Sequence, residues 1–106
     1  MLTRKALDNL LADIVSQAPS LGLNPSKIML YGSYANGNPN RDSDVDIAIW
    51  DTKFTGMDLS DMEYVRPLLR KYPGLLDIHF FPADADANSD PFIEEIERTG
   101  KVIYSN

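Results

Sequence analysis

The sequence contains no cysteine and a single histidine, His79. Without cysteine the chain has no disulfide bonds, no thiolate nucleophile and no sulfur ligands for zinc. One histidine alone also argues against a zinc site, because such sites usually draw several ligands from cysteine and histidine. These absences exclude thiol chemistry and direct attention to other side chains.

Positive charge is scarce as well. The chain has ten Lys and Arg residues and 16 Asp and Glu residues, which gives a net charge of -6. A field of this sign repels nucleic acid and anionic membranes, so no direct nucleic-acid or membrane partner is expected. A phosphate ligand would then need local positive charge, most simply from a metal ion.

No long apolar run is present. Asp8 and Asp13 interrupt the apolar positions of the N-terminal segment, which therefore resembles neither a signal peptide nor a membrane span. A cytoplasmic location is the default expectation. The 106 residues fit one domain, residues 1–106, and leave no room for two. A domain of this size has a modest core, so a deep substrate cleft could need help from a partner.

Hydrophobic periodicity predicts seven elements in the order helix, strand, short helix, strand, helix, strand, helix. The strands are the segments KIMLY, VDIAIW and LLDIHFF. The second long helix is expected to begin near Ser60, because Ser60 and Glu63 fit a capping box, and the last helix at Asp90. The final VIY segment is predicted to be a short tail. This order indicates an α/β (α+β) domain, with a small mixed β-sheet and helices packed on one face.

Three aspartates stand in or beside two of the predicted strands. Asp44 and Asp46 are two positions apart, so both side chains point to the same face of the strand VDIAIW. Asp77 lies in an otherwise apolar strand, where an unpaired charge would be costly. If the two strands pair, the three carboxylates can share two divalent cations, and hard oxygen ligands favour Mg²⁺, with Mn²⁺ as an alternative.

Gly32 and Ser33 follow the strand KIMLY at the start of the short helix. Backbone amides at such a turn are free to bind an anion, and glycine allows a phosphate to approach the main chain closely. The Ser33 hydroxyl can donate a further hydrogen bond. Ten residues separate Ser33 from Asp44, which is enough to bring the chain back into a neighbouring strand.

The spacing of Gly32-Ser33, Asp44-x-Asp46 and the later Asp77 resembles the nucleotidyltransferases of the DNA polymerase β superfamily, and specifically the minimal nucleotidyltransferase (MNT) domain proteins. The resemblance covers nearly the whole chain and implies a polymerase β-like fold. It also implies that all three aspartates bind metal and act in catalysis, with Asp77 helping to deprotonate the acceptor. Gly32 and Ser33 would hold the β and γ phosphates, and Arg41 is a further candidate phosphate contact.

The resemblance implies transfer of AMP from ATP, or another nucleoside triphosphate, to an acceptor hydroxyl. Proteins of this family often pair with HEPN-domain proteins, and several are antitoxins that adenylylate a tyrosine of the HEPN partner. A hetero-oligomer with such a partner is therefore expected, with a homodimer as an alternative. The competing interpretation is a non-catalytic nucleotide-binding subunit that neutralises its partner by contact, which the small size of the chain favours.

Simpler explanations exist for each motif. The segment DSDVD could be part of an EF-hand, but Ile47 and Lys53 stand where that loop requires glycine and glutamate. It could also be a solvated turn, and GSYANG could be a turn without a ligand. His79, Trp50 and Phe81 share a strand face with carboxylates, where they could pack in the interior, line a nucleotide pocket or form a patch that a partner covers.

Overall fold

The computed structural model describes residues 1–57 and 59–106, and residue 58 by its backbone alone. Its elements, in chain order, are α1 (Arg4–Gln17), a 3-10 helix (Ala18–Leu21), β1 (Lys27–Tyr31), α2 (Ser33–Asn36), β2 (Val45–Asp51), α3 (Asp58–Lys71), β3 (Leu76–Pro82), α4 (Pro91–Thr99) and β4 (Lys101–Ser105). Among these helices none is long and apolar enough to cross a membrane.

The four strands form one mixed sheet in the order β3-β2-β1-β4. Strand β1 pairs antiparallel with both β2 and β4, whereas β2 and β3 run parallel. The parallel pair is in register from Val45 opposite Leu76 to Asp51 opposite Pro82. The predicted fold class, an α/β domain with a small mixed sheet, is confirmed.

One face of the sheet carries the larger core, and helices α1 and α3 cover it. Alternate residues of β2 point into this core and are at most 2% exposed: Val45, Ile47 and Ile49. Leu10 and Ile14 of α1 and Val65 and Leu68 of α3 pack in the same cluster. Burial of each such aliphatic side chain contributes about 1.5–3 kcal/mol, so this layer supplies most of the stability that apolar burial gives.

Helix α4 lies on the opposite face, so the prediction that the helices pack on one face was wrong for this element. Ile93 and Ile96 of α4 are fully buried against Ala48 and Trp50 of β2. Ala48 and Trp50 are apolar although they point away from the larger core, so they must be shielded from water by another element. The Trp50 indole N–H donates to the carbonyl oxygen of Ala85 at 3.1 Å, which fixes the ring under the loop before α4.

The C-terminal segment is also more ordered than predicted. Residues 101–105 form β4, which pairs antiparallel with β1 and makes the sheet four-stranded. The predicted short tail was therefore wrong. Strand β4 lies at an edge of the sheet and Val102 remains 56% exposed, so the buried-strand pattern that identified the other strands is weak here.

Helix α3 begins at Asp58 rather than near Ser60, and the predicted capping box does not form. Glu63 pairs with Arg66 instead, with Nη2 of Arg66 donating to Oε1 at 2.6 Å. The buried carboxylate of Asp61 organises the approach to the helix. It accepts the backbone N–H of Thr55 at 3.0 Å and that of Gly56 at 2.9 Å.

Replacement of Asp61 by alanine is expected to lower the free energy of unfolding by about 3 kcal/mol, because two backbone N–H groups lose a charged acceptor in a buried place. Urea unfolding curves measure the change. Asp8→Ala is the matched control. The Asp8 pair with Arg4 is exposed, and its loss should change stability by less than about 0.5 kcal/mol. Equal effects of the two substitutions would contradict the role given to Asp61.

Candidate active site

The parallel pairing of β2 with β3 sets two of the predicted aspartates side by side. Asp46 stands directly opposite Asp77 in the register. Because Val45 and Ile47 point into the core, Asp46 projects from the other face of the sheet, and Asp77 projects with it. Asp46 is half-buried, whereas about half of the Asp77 side chain is accessible to solvent.

Asp44 completes the acidic group. It precedes β2, is exposed, and lies close enough for its charge to act on Asp46. Burial is the main cause that raises the pKa of Asp46 to about 6, followed by the charge of Asp77 and a hydrogen bond with it, and then by Asp44. The charge of His79 lowers the pKa of Asp46 and so opposes these effects. The site therefore concentrates negative charge and supplies little positive charge of its own.

The chemistry of this group fits a hard divalent cation. Three carboxylates offer the oxygen ligands that Mg²⁺ and Mn²⁺ prefer, and a cation would relieve the repulsion that raises the pKa of Asp46. Within the described part of the chain, these side chains are not gathered into a complete three-residue ligand set. Mutual repulsion of like charges opposes such a gathering unless a cation is bound. The number of bound ions stays a prediction.

Gly32 connects the carboxylates to the turn before α2. Its backbone has φ 74° and ψ -157°, a region that is essentially restricted to glycine. A Cβ atom at this position would lie 2.0 Å from Oδ2 of Asp46, so the carboxylate rests directly on the main chain of Gly32. The strand-to-helix turn and the metal-ligand candidates thus form one continuous site.

Ser33 and Arg41, the other predicted phosphate contacts, have different surroundings. Ser33 is the first residue of α2 and half-buried, beside Gly32. The first backbone N–H groups of a helix have no acceptor within it and can bind an anion. Arg41 lies in an exposed turn between Asn40 and Ser43, and no hydrogen bond or ion pair involves it among the described residues. The role of Arg41 stays a prediction.

An aromatic cluster of Tyr31, His79 and Phe92 borders the carboxylates. Tyr31 stands opposite Asp46 across β1 and β2. Its ring centroid lies 6.0 Å from that of His79 and 5.7 Å from that of Phe92, and the His79 and Phe92 centroids are 5.0 Å apart. Burial, and then the charges of Asp46 and Asp77, raise the pKa of Tyr31.

Sequence reasoning did not assign Tyr31 or Phe92 to the site. Tyr31 ends the strand before Gly32, and an antiparallel pairing of β1 with β2 was the signal that could have placed it beside Asp46. Phe92 had no such signal, because it reaches the site only through the packing of α4 on this face. Trp50 and Phe81, considered as pocket or patch residues, are buried under α4.

Replacement of Asp46 by asparagine is expected to raise the melting temperature of the metal-free protein near neutral pH. The folded-state pKa of Asp46, about 6, exceeds its ordinary value of 3.8, so charging this group destabilises the folded state. The destabilisation is absent below pH 3.8, grows towards pH 6 and is complete above it. Melting curves in EDTA should show a gain that disappears as the pH is lowered. A gain that persists in acid would contradict this explanation.

Comparisons with known proteins agree with this arrangement. Residues 11–106 match the family model described as Polymerase beta, Nucleotidyltransferase. The search of curated proteins finds no match. Among solved structures, a toxin-antitoxin with AMP-PNP is similar, with a TM-score of 0.68 and 21% identity, over 91% of this chain and 73% of that one.

Two mutants of the toxin-antitoxin MntA-HpeT are similar as well. One has a TM-score of 0.59 and 21% identity, over 99% of this chain and 75% of that one. The other has a TM-score of 0.53 and 22% identity, over 100% of this chain and 75% of that one. At these identities the solved structures establish the fold, and the family follows from the match over residues 11–106. The chain belongs to the polymerase β nucleotidyltransferase family.

Proposed function

We propose that this protein transfers AMP from ATP to a hydroxyl group of a partner protein, as the antitoxin of a HEPN/MNT toxin-antitoxin pair. The observation that carries the proposal is the pairing of Asp46 with Asp77, with the Asp46 carboxylate resting on Gly32. Membership of the nucleotidyltransferase family supports the reaction class. The similar solved structures are toxin-antitoxin proteins, one of them with AMP-PNP, and they support the biological role.

In the proposed reaction the acceptor oxygen forms a bond to the α-phosphorus of ATP. The bond from that phosphorus to the oxygen bridging the α and β phosphates breaks, and pyrophosphate leaves. Gly32 permits the phosphates to approach the main chain, and the Ser33 amide and hydroxyl donate hydrogen bonds to them. These contacts hold the triphosphate beside the carboxylates.

Asp77 is the group suited to receive the acceptor's proton. Its side chain is about half accessible, so an acceptor hydroxyl can approach it, and its strand holds it beside Asp46. Asp46 is less accessible and rests against Gly32, and this contact supports a role for Asp46 on the phosphate side. The two carboxylates thus have different surroundings and suit different tasks.

Asp44, Asp46 and Asp77 are the residues that would hold the divalent ions. When bound, Mg²⁺ neutralises the triphosphate and the charge that develops during transfer. The protein's net charge of -6 explains why such help is needed, because the chain by itself repels ATP.

The proposal is tested by mixing the protein with Mg²⁺, ATP and the protein encoded beside it, followed by intact mass spectrometry. We expect the neighbouring protein to gain the mass of AMP. Asp46→Asn should reduce the yield by at least about 10²-fold, because the neutral amide that replaces the carboxylate lacks the negative charge that binds a cation. Omission of the divalent ion should have a comparable effect.

The same mixture separates transfer from simple contact. A stable complex that inhibits the neighbour, with no AMP on it and with no change in the Asp46→Asn variant, would support a non-catalytic subunit and overturn the transferase proposal. Size-exclusion chromatography with light scattering, run beforehand, reports whether the two proteins associate and whether the chain alone is a dimer.

A further inference from the structure

A groove runs along β3 beside the start of α4, on the same face of the sheet as Asp77. It has a volume of about 330 Å³ and includes His79, Phe81, Pro82, Ser89, Asp90 and Phe92 in its lining. Because Asp77, His79 and Phe81 alternate along β3, they share this face, with roughly 7 Å between successive members. The groove therefore begins at His79, two positions along β3 from Asp77, the residue proposed to receive the acceptor's proton.

The groove combines aromatic faces with negative charge. Phe92 is 36% exposed and the His79 side chain 37% exposed, so both rings are accessible. Asp90 is the carboxylate in the lining, and the described lining residues include no lysine or arginine. The surrounding sequence carries acidic residues without lysine or arginine as well. Residues 77–97 contain no lysine or arginine but seven acidic residues, Asp77, Asp84, Asp86, Asp90, Glu94, Glu95 and Glu97.

On the same face of the sheet, one lysine of the chain already contacts both an aromatic ring and a carboxylate. The Lys27 ammonium lies 4.3 Å from the centroid of the Trp50 ring and 2.9 Å from Oε2 of Glu97. A cation held between an aromatic face and a carboxylate is a favourable arrangement, because the ring quadrupole and the anion attract it together. In the groove, Phe92 and Asp90 present the ring and the carboxylate without a lysine or arginine from the described chain.

We propose that this groove binds a lysine or arginine side chain of the acceptor segment, next to the hydroxyl that receives AMP. The inference rests on the proposed transferase function and names the recognition element beside its site. An extended segment places alternate side chains on one face at about 7 Å, which matches the step from Asp77 to His79, and the His79 ring centroid lies 5.0 Å from that of Phe92. The basic side chain is therefore expected two positions from the acceptor hydroxyl.

Peptide binding tests the groove without ATP or metal. The probe is a fluorescein-labelled peptide of alternating serine and threonine with two lysines at alternate positions, and a second peptide has glutamates instead. Fluorescence anisotropy at low ionic strength should show at least about tenfold tighter binding of the lysine peptide. Equal binding of the two peptides would overturn the proposal.

Substitutions locate the contact. Phe92→Ala and Asp90→Asn should each weaken binding of the lysine peptide by about fivefold, and Phe92→Tyr should restore it because the ring face is retained. Asparagine preserves the helix cap that Asp90 gives to the N–H of Phe92, so Asp90→Asn removes charge with little effect on folding. Glu94→Gln is the matched control, because Glu94 lies on the same helix but outside the groove lining. An effect of Glu94→Gln equal to that of Asp90→Asn would overturn the proposal.

Transfer assays separate this inference from the proposed function. If AMP transfer occurs, Phe92→Ala should raise the KM for the acceptor protein about fivefold while kcat changes less than twofold. Transfer with an unchanged acceptor KM would overturn the groove and leave the transferase function standing. Absence of transfer together with binding of the lysine peptide that depends on Phe92 and Asp90 would sink the transferase function and retain the basic-residue site.

Discussion

Asp77→Asn is expected to lower the rate of AMP transfer by about 10³-fold while ATP binding stays within a few-fold of wild type. Asp77 is the more accessible of the two paired carboxylates, so its main contribution is expected on the acceptor side. Asparagine has a similar shape but cannot take a proton at neutral pH. The loss should therefore appear in kcat, with a smaller change in the KM for ATP.

The measurement is single-turnover transfer of labelled AMP to the neighbouring protein, with ATP affinity followed separately by calorimetry. Asp8→Asn is the matched control, since Asp8 is an exposed aspartate of α1, which covers the other face of the sheet. It should transfer AMP within about twofold of wild type, because surface substitutions away from the site have little effect. A retained rate in Asp77→Asn, or an equal loss in both variants, would show that Asp77 has no specific part in the chemistry.

The position of Asp46 could be predicted because strand geometry is local. Alternation along β2 places Asp46 on the face opposite to that of the buried Val45 and Ile47, whereas Asp44 precedes the strand. The link to Asp77 depended on one further condition, that β3 pairs beside β2, and the register meets it with Asp46 opposite Asp77. The burial pattern of the first two strands, KIMLY and VDIAIW, was sufficient to place them in the sheet.

The placement of α4 could not be predicted from its own sequence. An amphipathic helix shows which side it buries, but not which face of a sheet it covers. The information was in β2, where Ala48 and Trp50 make the outward face apolar beyond Asp46. This packing also brings Phe92 to the site and buries Phe81, so the error about α4 and the omission of Phe92 have the same cause.

The start of α3 and the strand β4 were missed because contacts with distant parts of the chain determine them. Ser60 and Glu63 fit a capping box, but Asp61 takes the amides of Thr55 and Gly56 and the helix begins earlier. Strand β4 was missed because a short edge strand has one buried neighbour and lacks a continuous apolar pattern. Both features depend on tertiary contacts that local spacing does not contain.

Gly32→Ala is expected to give the largest combined loss of stability and activity. The backbone of Gly32 lies in a region that disfavours side chains by about 1–3 kcal/mol, and the new Cβ would stand 2.0 Å from Oδ2 of Asp46. Because this contact is far inside van der Waals distance, the Asp46 carboxylate must move. Displacement of a catalytic group by about 1 Å can lower the rate about 10²-fold, so transfer should fall by at least that factor.

Gly37→Ala separates backbone strain from the contact with Asp46. Gly37 also has a positive φ, 77°, but a Cβ atom there would have no atom within 4 Å. This control should lose about 1–2 kcal/mol of stability and keep AMP transfer within about threefold of wild type. Urea unfolding and single-turnover transfer, measured on both variants, give the comparison. If the two glycine variants lose activity to the same extent, the close approach of Gly32 to Asp46 has no special role in holding the metal-ligand carboxylates against the phosphate-binding turn.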